Sequence, residues 1–237
     1  VDVYRPADLV EEILRIYGYD NIEIPTKINA SLNVNVKPDK EKIQKEISIF
    51  LAANGFYEIM NNSLTKSAYT RELDSFDEAH NLKIMNPLSS DLDVMRQSLM
   101  FGGLESIARN QSFKSFDMKF FEFGNVYFYN CDNKQTEEKP LNPYTENYRL
   151  DLLMTGNDKE ESWNNKPMSL TFYDLKKYVL GIMHKLGIDT DALDRLEGTE
   201  SHYDYSLVYA LNNKVLATVG KINAKTLKMF EDRKSVV

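Results

Sequence analysis

The sequence predicts an α+β fold in which antiparallel strands are combined with helices. Apolar residues recur at helical spacing in several segments, beginning with residues 6–17. An aromatic-rich run at 120–129, FFEFGNVYFY, is typical of a strand. Two alternating apolar runs joined by Asn212 and Asn213 indicate an antiparallel hairpin.

The first segment predicts a helix over Pro6–Tyr17 that ends at Gly18. Its apolar face carries Leu9, Ile13, Ile16 and Tyr17. The residues IEIP at 22–25 then predict a short strand ended by proline. A polar, irregular stretch follows, and we place a boundary within it, so that residues 1–36 form one unit and residues 37–237 another.

The second unit opens with Asp39, which is placed to cap a helix that ends at Asn54–Gly55. This helix carries Ile43, Ile47, Phe50 and Leu51. Short apolar runs follow, and GGLESIARNQ at 102–111 predicts a second helix. In the aromatic strand, Gly124 indicates a bulge or a close approach of another group.

A long exposed loop is expected over 130–147, followed by a strand over 148–156. Thr171 and Asp174 form a capping pattern for a helix that Gly187 ends. That helix carries Leu175, Tyr178, Val179, Ile182 and Leu186. The alternating runs 203–211 and 214–222 complete the predicted hairpin.

Composition limits the possible classes of function. The chain has 237 residues, of which 42% are hydrophobic and 27% charged, which is typical of a protein with a sizeable core. The net charge of −7 argues against a surface that mainly coats nucleic acid. No apolar run approaches the ~18 residues of a membrane span. The single cysteine, Cys131, predicts a surface thiol and a cytoplasmic location. Because the chain runs from Val1 to the sequence EDRKSVV, we expect it to be a piece of a longer polypeptide.

Carboxylates are concentrated at the start of the first predicted helix. Asp8 is three residues from Glu11 and four from Glu12, and such residues are neighbours on a helix surface. Asp2 lies six residues upstream of Asp8, and four carboxylates suit a hard cation such as Mg²⁺. Alternatively, the acidic residues favour the positive end of the helix dipole, and Glu11 pairs with Arg15.

Other residue types give weaker signals. The three histidines fit no metal-ligand pattern, and we expect surface or edge positions for His80, His184 and His202. The glycines of FGG at 101–103 indicate either a phosphate contact or a tight join between loop and helix. Trp163 either anchors a partner or packs against its own chain.

Several motifs occur together in one order: DLVEEILRIYGYDNIEIP, then NPLSSDLDVMRQSLMFGGLESIARNQ, then FFEFGNVY. Trp163, FYDLKKYV and VYALNNKVLATVGKIN follow. Together they resemble the β-subunit family of bacterial phenylalanyl-tRNA synthetase over essentially the whole chain. The resemblance implies that residues 1–36 are the C-terminal part of a small helix–strand module with its linker. Residues 37–237 would be a class II synthetase-like module, an antiparallel sheet flanked by helices that has lost its catalytic chemistry.

The resemblance also implies ligands and partners. Mg²⁺ would be bound, together with the α subunit, by Asp2, Asp8, Glu11 and Glu12. The whole enzyme would be an (αβ)₂ assembly that joins phenylalanine to tRNA(Phe) with ATP. This chain would support the catalytic α subunit and the tRNA, it would have no membrane contact, and it would be inactive alone, with no catalytic or cofactor-binding residues assigned.

Two positions bear on the lost chemistry. Active class II enzymes carry an arginine for the ATP α-phosphate where this sequence, GNVYF, has Phe128. The later G-x-G-x-x-R signature is also missing. Arg96, in VMRQSL, belongs to a pattern shared with the family, and we expect it to make a structural pair with Asp91 or Asp93.

Two rival functions remain open at this point. One is a free-standing Mg²⁺-dependent hydrolase that uses the four N-terminal carboxylates. The other is a plain protein-interaction module.

Overall fold

A computed structural model of the chain describes most of its residues, namely 3–24, 26–27, 38–87, 89, 91–159, 163–164 and 166–231. The chain divides into two compact units, Val1–Pro38 and Asp39–Val237. This division lies close to the boundary expected after residue 36, and the assignment of the units to particular modules stays a prediction. No helix among the described residues is long and apolar enough to cross a membrane.

The first unit is built on helix α1, which spans Pro6–Tyr17 as predicted. Proline at the first helical position and Gly18 at the exit, with φ +92°, set its two ends. A 3₁₀ turn follows at Tyr19–Asn21. The strand expected at 22–25 is wrong over residues 22–24, because no described segment of this unit offers them a ladder partner, and Pro25 lies outside the described residues.

The second unit contains five α-helices, one 3₁₀ turn (Glu78–His80) and ten strands within its described residues. The helices are α2 (Lys40–Ala53), α3 (Ser67–Glu72), α4 (Met100–Ser112), α5 (Phe172–Lys185) and α6 (Ala224–Glu231). The first five strands are β1 (Tyr57–Glu58), β2 (Leu64–Thr65), β3 (Val94–Met95), β4 (Met118–Tyr129) and β5 (Tyr144–Thr155). The others are β6 (Asn157–Lys159), β7 (Met168–Ser169), β8 (Asp194–Glu197), β9 (Tyr203–Leu211) and β10 (Lys214–Ile222).

The central sheet has the strand order β1-β4-β5. Strand β4 pairs antiparallel with β5 without a register shift from Met118–Thr155 to Tyr129–Tyr144, so Gly124 makes no bulge. Strand β5 therefore begins at Tyr144, earlier than expected, and shortens the predicted loop. Strand β1 pairs with β4 in parallel, so the expectation of a purely antiparallel sheet is wrong at this edge.

The second sheet has the order β10-β9-β8 and contains the predicted hairpin. Asn212 and Asn213 have φ values of 51° and 61°, as a two-residue type I′ turn requires. The pairing of β8 with β9 was not anticipated from the sequence.

Helices α2 and α5 begin where their capping residues predict. Asp39 Oδ1 accepts hydrogen bonds from the backbone N–H groups of Glu41 and Lys42 at 3.0 and 3.2 Å. Asp174 Oδ2 accepts from the backbone N–H of Thr171 at 2.7 Å and from its hydroxyl at 2.6 Å. These hydrogen bonds lower the pKa of Asp174.

Apolar side chains cover both faces of the central sheet. On one face, Phe120 packs in a buried cluster with residues of α3, α4 and α6, including Tyr69, Phe101, Leu104 and Phe230. On the other face, Phe121 packs with residues of α2 and α5, including Ile47, Leu51, Tyr178 and Ile182. Because successive strand residues point to opposite faces, Glu122 shares the α4 face with Phe120.

Candidate functional site

Asp8, the first of the expected metal ligands in the described residues, caps helix α1. Its Oδ2 accepts the backbone N–H groups of Arg5 and Tyr4 at 3.0 and 3.1 Å. Its Oδ1 accepts from the Arg5 guanidinium at 3.0 Å. The backbone hydrogen bond from Arg5, the side-chain bond from the same residue and the bond from Tyr4 lower the pKa of Asp8. Asp8 is therefore ionised and already engaged at the helix start.

Glu11 and Glu12 are solvent-exposed. Arg15 pairs with Glu12 at 3.1 Å, so the expectation that it pairs with Glu11 is wrong. Both spacings bring side chains together on a helix, and the sequence could not separate them. Asp2 lies outside the described residues. Within the described part of the chain, no three acidic, histidine or cysteine side chains gather to hold a metal, and the four-carboxylate site stays a prediction.

A buried ion pair lies within the second unit. The Arg96 Nη1 donates to Glu122 Oε1 at 2.7 Å, and the two side chains are 5% and 1% exposed. The Arg96 Nε donates to the carbonyl of Asn125 at 3.0 Å, and Nη1 also reaches the carbonyl of Asn61 at 3.3 Å. The guanidinium is thus surrounded by acceptors of its own chain.

The expectation of a structural role for Arg96 is confirmed by this pair, but the expected partners are wrong. Asp91 pairs with Lys66 at 3.0 Å. Asp93 Oδ1 accepts the backbone N–H of Ser67 at 2.8 Å. Both aspartates are near Arg96 in sequence, whereas the actual partner is 26 residues away.

Asn61 extends the pair into a network that we call the Arg96 network: Arg96, Glu122, Asn61 and Ser106. Glu122 accepts from the backbone N–H of Asn61 at 3.2 Å and from its side-chain amide at 2.7 Å. Asn61 Oδ1 in turn accepts from the Ser106 hydroxyl at 2.8 Å. The network therefore ties strand β4 to the segment after β1 and to helix α4.

Two glycines leave room for this network. A Cβ at Gly124 would lie 2.2 Å from Arg96 Nη2, so Gly124 permits the close approach that was one of its two expected roles. A Cβ at Gly102 would lie 2.7 Å from the Cβ of Asn61. The FGG glycines thus pack against protein side chains in the first turns of α4.

Asp151 adds a second carboxylate to the same face. It lies directly opposite Glu122 in the β4–β5 register. Its Oδ2 is buried and has no hydrogen-bond partner among the described residues. Burial, and then the charge of Glu122, raise the pKa of Asp151 to about 6. The site as a whole carries two carboxylates and one guanidinium.

Aromatic side chains also lie on or near this face. Phe128 lies in β4 opposite Thr145, six residues beyond Glu122 and so on the same side of the sheet. The ring of Tyr203 lies against Gly220, where a Cβ would be 2.5 Å from its Cδ1. Burial, followed by the charges of Asp151 and Glu200, raises the pKa of Tyr203. Arg149 also lies on this face, opposite Gly124, but its side chain is exposed. The buried cation of the site is Arg96, which Glu122 holds.

The histidine predictions are confirmed at two positions and wrong at the third. His80 and His184 are exposed. His202 is only 6% exposed, and its ring stacks on Phe76 with centroids 5.4 Å apart. Burial lowers its pKa. The sequence reasoning missed this because Phe76 is distant along the chain.

The side chains of Trp163 and Cys131 are both exposed to solvent. The exposed thiol agrees with the expectation. The exposure of Trp163 removes the packing interpretation within the described residues, and its role as a partner anchor stays a prediction.

Residues 24–237 match the family profile described as the phenylalanyl tRNA synthetase beta chain CLM domain. The chain belongs to the phenylalanyl-tRNA synthetase β-chain family. A curated relative, the phenylalanine–tRNA ligase beta subunit of Bacteroides thetaiotaomicron, is 44% identical over 233 residues. The match covers 98% of this chain and 28% of that relative. The corresponding subunit of Porphyromonas gingivalis is 36% identical over 232 residues, with coverage of 97% and 28%.

These relatives confirm the β-chain resemblance, and this chain spans about 28% of their length. They give no support to a free-standing hydrolase. Among solved structures, the pyrrolysyl-tRNA synthetase of Desulfitobacterium hafniense aligns with a TM-score of 0.58 and 14% identity. The alignment covers 84% of this chain and 64% of that one. At this identity the likeness concerns the fold alone, and it agrees with a class II-like arrangement of sheet and helices.

Proposed function

We propose that this chain is a non-catalytic part of a phenylalanine–tRNA ligase β subunit. It supports the catalytic α subunit in a cytoplasmic (αβ)₂ enzyme that joins phenylalanine to tRNA(Phe) with ATP, and it helps to hold the tRNA. The observation that carries this proposal is the Arg96 network, because it engages the buried guanidinium of the sheet in contacts within the chain.

A nucleotide site on the sheet would need a positive group at the ATP phosphates. The guanidinium of Arg96 is held by Glu122 and by backbone carbonyls. Withdrawing it would leave Glu122 buried and unpaired, which costs about 3–5 kcal/mol. The second carboxyl group, Asp151, lies directly opposite Glu122 and supplies no positive group to a phosphate. These features support a face that serves as a folded core and binds no nucleotide.

The ATP prediction is tested by calorimetric titration of the chain with ATP and Mg²⁺. We expect no measurable heat of binding, because the buried guanidinium of this face is held by Glu122 and a second carboxyl group lies opposite Glu122. The intact complex with the α subunit, titrated in the same buffer, is the positive control. A micromolar dissociation constant for the isolated chain would overturn the proposal.

For the metal, we propose that Asp2, Asp8, Glu11 and Glu12 bind Mg²⁺ together with groups of the α subunit. The chemistry fits, since Mg²⁺ prefers carboxylate oxygens and keeps several waters. Glu11 and Glu12 are exposed, and the Glu12–Arg15 pair contributes only about 0.3–0.5 kcal/mol, so these side chains are free to turn. When bound, the ion would bridge the two subunits.

The Mg²⁺ bridge between the subunits can be tested without disturbing helix α1. Replacing Asp8 would also remove the cap of α1, so the change should be Glu11→Gln with Glu12→Gln in the full-length β subunit. We expect weaker association with the α subunit in Mg²⁺ and no further loss on adding a chelator. The matched control is Glu23→Gln, an exposed carboxylate of the same unit.

Equal association of the double variant and the control would count against the metal bridge but not against the subunit role. A full-length β subunit that binds no α subunit at all would instead favour the plain interaction module.

A further inference from the structure

Glu122 and Asp151 form a carboxylate pair across the central sheet. They are directly opposite one another in the antiparallel register of β4 and β5. Residues opposite one another in such a pair have Cβ atoms about 4.5–5.5 Å apart, and like charges there are unfavourable. Arg96 is the guanidinium bonded to this pair, and it donates to Glu122.

We propose that this carboxylate pair is a one-proton site, in which Arg96 balances Glu122 and a proton on Asp151 balances the second carboxylate. The folded chain then holds a proton that the unfolded chain releases, so its stability is linked to proton uptake.

The hydrogen bonds assign the proton to Asp151. Glu122 accepts from the Arg96 guanidinium and from two N–H groups of Asn61, so both of its oxygens have donors. Asp151 has one such bond, from the backbone N–H of Leu152 to Oδ1 at 3.0 Å. Its other oxygen is buried without a partner among the described residues. An ionised carboxylate in that state is strongly disfavoured.

The charged groups around Asp151 do not change this balance. On β4 it faces Glu122, and beyond Glu122 lies Arg96, already paired. On β9 the phenol of Tyr203 is neutral, since burial and the Asp151 charge raise its pKa. On β5 itself, Arg149 shares this face of the sheet but is exposed and lies opposite Gly124. No neighbour named here supplies the second cation that two ionised carboxylates would require.

The sign of the linkage follows from the direction of the shift. The pKa of Asp151 is raised from 3.8 to about 6 in the folded chain, so the folded state binds more protons between these values. Stability from this group is therefore present at acidic pH and is lost as pH rises through 6. Between pH 4 and pH 7 its ionisation should increase the unfolding equilibrium constant on the order of 50-fold.

The experiment follows the carboxyl carbon of Asp151 by NMR in the ¹³C-labelled chain while pH is changed from 3 to 8. In parallel, urea unfolding is measured at pH 4 and pH 7 for the wild type, Asp151→Asn and Asp132→Asn. Asp132 lies in the exposed loop before β5 and serves as the matched control. We expect an Asp151 midpoint near pH 6.

In the urea experiment, the unfolding equilibrium constant of the wild type, divided by that of Asp151→Asn, should change by about 50-fold from pH 4 to pH 7. Asp132→Asn should follow the wild type at both pH values. A midpoint near pH 4 in the wild type would overturn the proposal, as would parallel pH dependence of Asp151→Asn and the wild type. Because the NMR titration uses the wild-type chain, it tests the proposal even if Asp151→Asn does not fold.

Discussion

Replacing Arg96 by methionine should destabilise the second unit severely. The change removes the partner of Glu122, whose side chain is only 1% exposed, and leaves a buried carboxylate with the two N–H groups of Asn61. Breaking a buried pair in this way costs about 3–5 kcal/mol. The carbonyl of Asn125 also loses its donor, which adds about 1 kcal/mol. Whole domains are stable by only about 5–15 kcal/mol, so the loss is a large fraction of the total.

The double variant Arg96→Met with Glu122→Leu should recover much of this loss. Replacing both members of a buried ion pair by apolar groups is often close to neutral, because the desolvation of both charges disappears. The carbonyls of Asn125 and Asn61, which accept from Arg96 in the wild type, still lack this donor. We therefore expect the double variant to remain less stable than the wild type by about 2 kcal/mol. Removal of the Glu122 charge also relieves Asp151 opposite it. The double variant should therefore be more stable than Arg96→Met alone.

Urea unfolding at neutral pH, followed by far-ultraviolet circular dichroism, measures both variants. The matched control is Arg71→Met, which breaks a surface pair with Glu78 at 3.4 Å whose side chains are 62% and 44% exposed. That control should cost less than about 1 kcal/mol. The reasoning is refuted if Arg96→Met costs no more than Arg71→Met, or if the double variant is no more stable than Arg96→Met alone.

Three further changes test other parts of the structure. Gly124→Ala should cost about 1–3 kcal/mol in urea unfolding, because its Cβ would meet the Arg96 guanidinium, and a neutral result would exclude that contact. Asn213→Gly should raise stability by about 0.5 kcal/mol, since φ is 61° there, with Asn212 unchanged; destabilisation would argue against a type I′ turn. His202 has a lowered pKa, so stability is lost as pH falls below 6.5, and His202→Phe should remove that acid-side loss. A wild-type acid-side slope in His202→Phe would contradict the burial of this ring.

Features with a local signal were predicted well from the sequence. Helix α1 has its predicted bounds because proline and glycine fix its ends within the segment itself. Helix α2 begins after Asp39, whose side chain accepts hydrogen bonds from the backbone N–H groups of Glu41 and Lys42. The β9–β10 hairpin turns at two asparagines that adopt positive φ. Each of these depends on residues that are neighbours in the chain.

Features that depend on distant contacts were missed. Strand β1 has two residues, too few for an alternation pattern, and exists because it pairs with β4 more than sixty residues later. Strand β8 is exposed along its length and has no apolar alternation of its own. The burial of His202 depends on Phe76 in another part of the chain. No short-range pattern carries such information.

The Arg96 network was missed for the same reason, although one signal in the sequence points to it. Glu122 stands between Phe120 and Gly124 on one face of a mostly aromatic and apolar strand, so its alternation places a carboxylate on a buried face. A buried carboxylate requires a cation and further donors. Gly124, next on that face, marks where a large group approaches the strand. The cation that lies against Gly124 and pairs with Glu122 is Arg96. The acids nearest to Arg96 along the chain, Asp91 and Asp93, are not its partners. For a charged residue in a core strand, the face it occupies is therefore a better guide to its partner than distance in sequence.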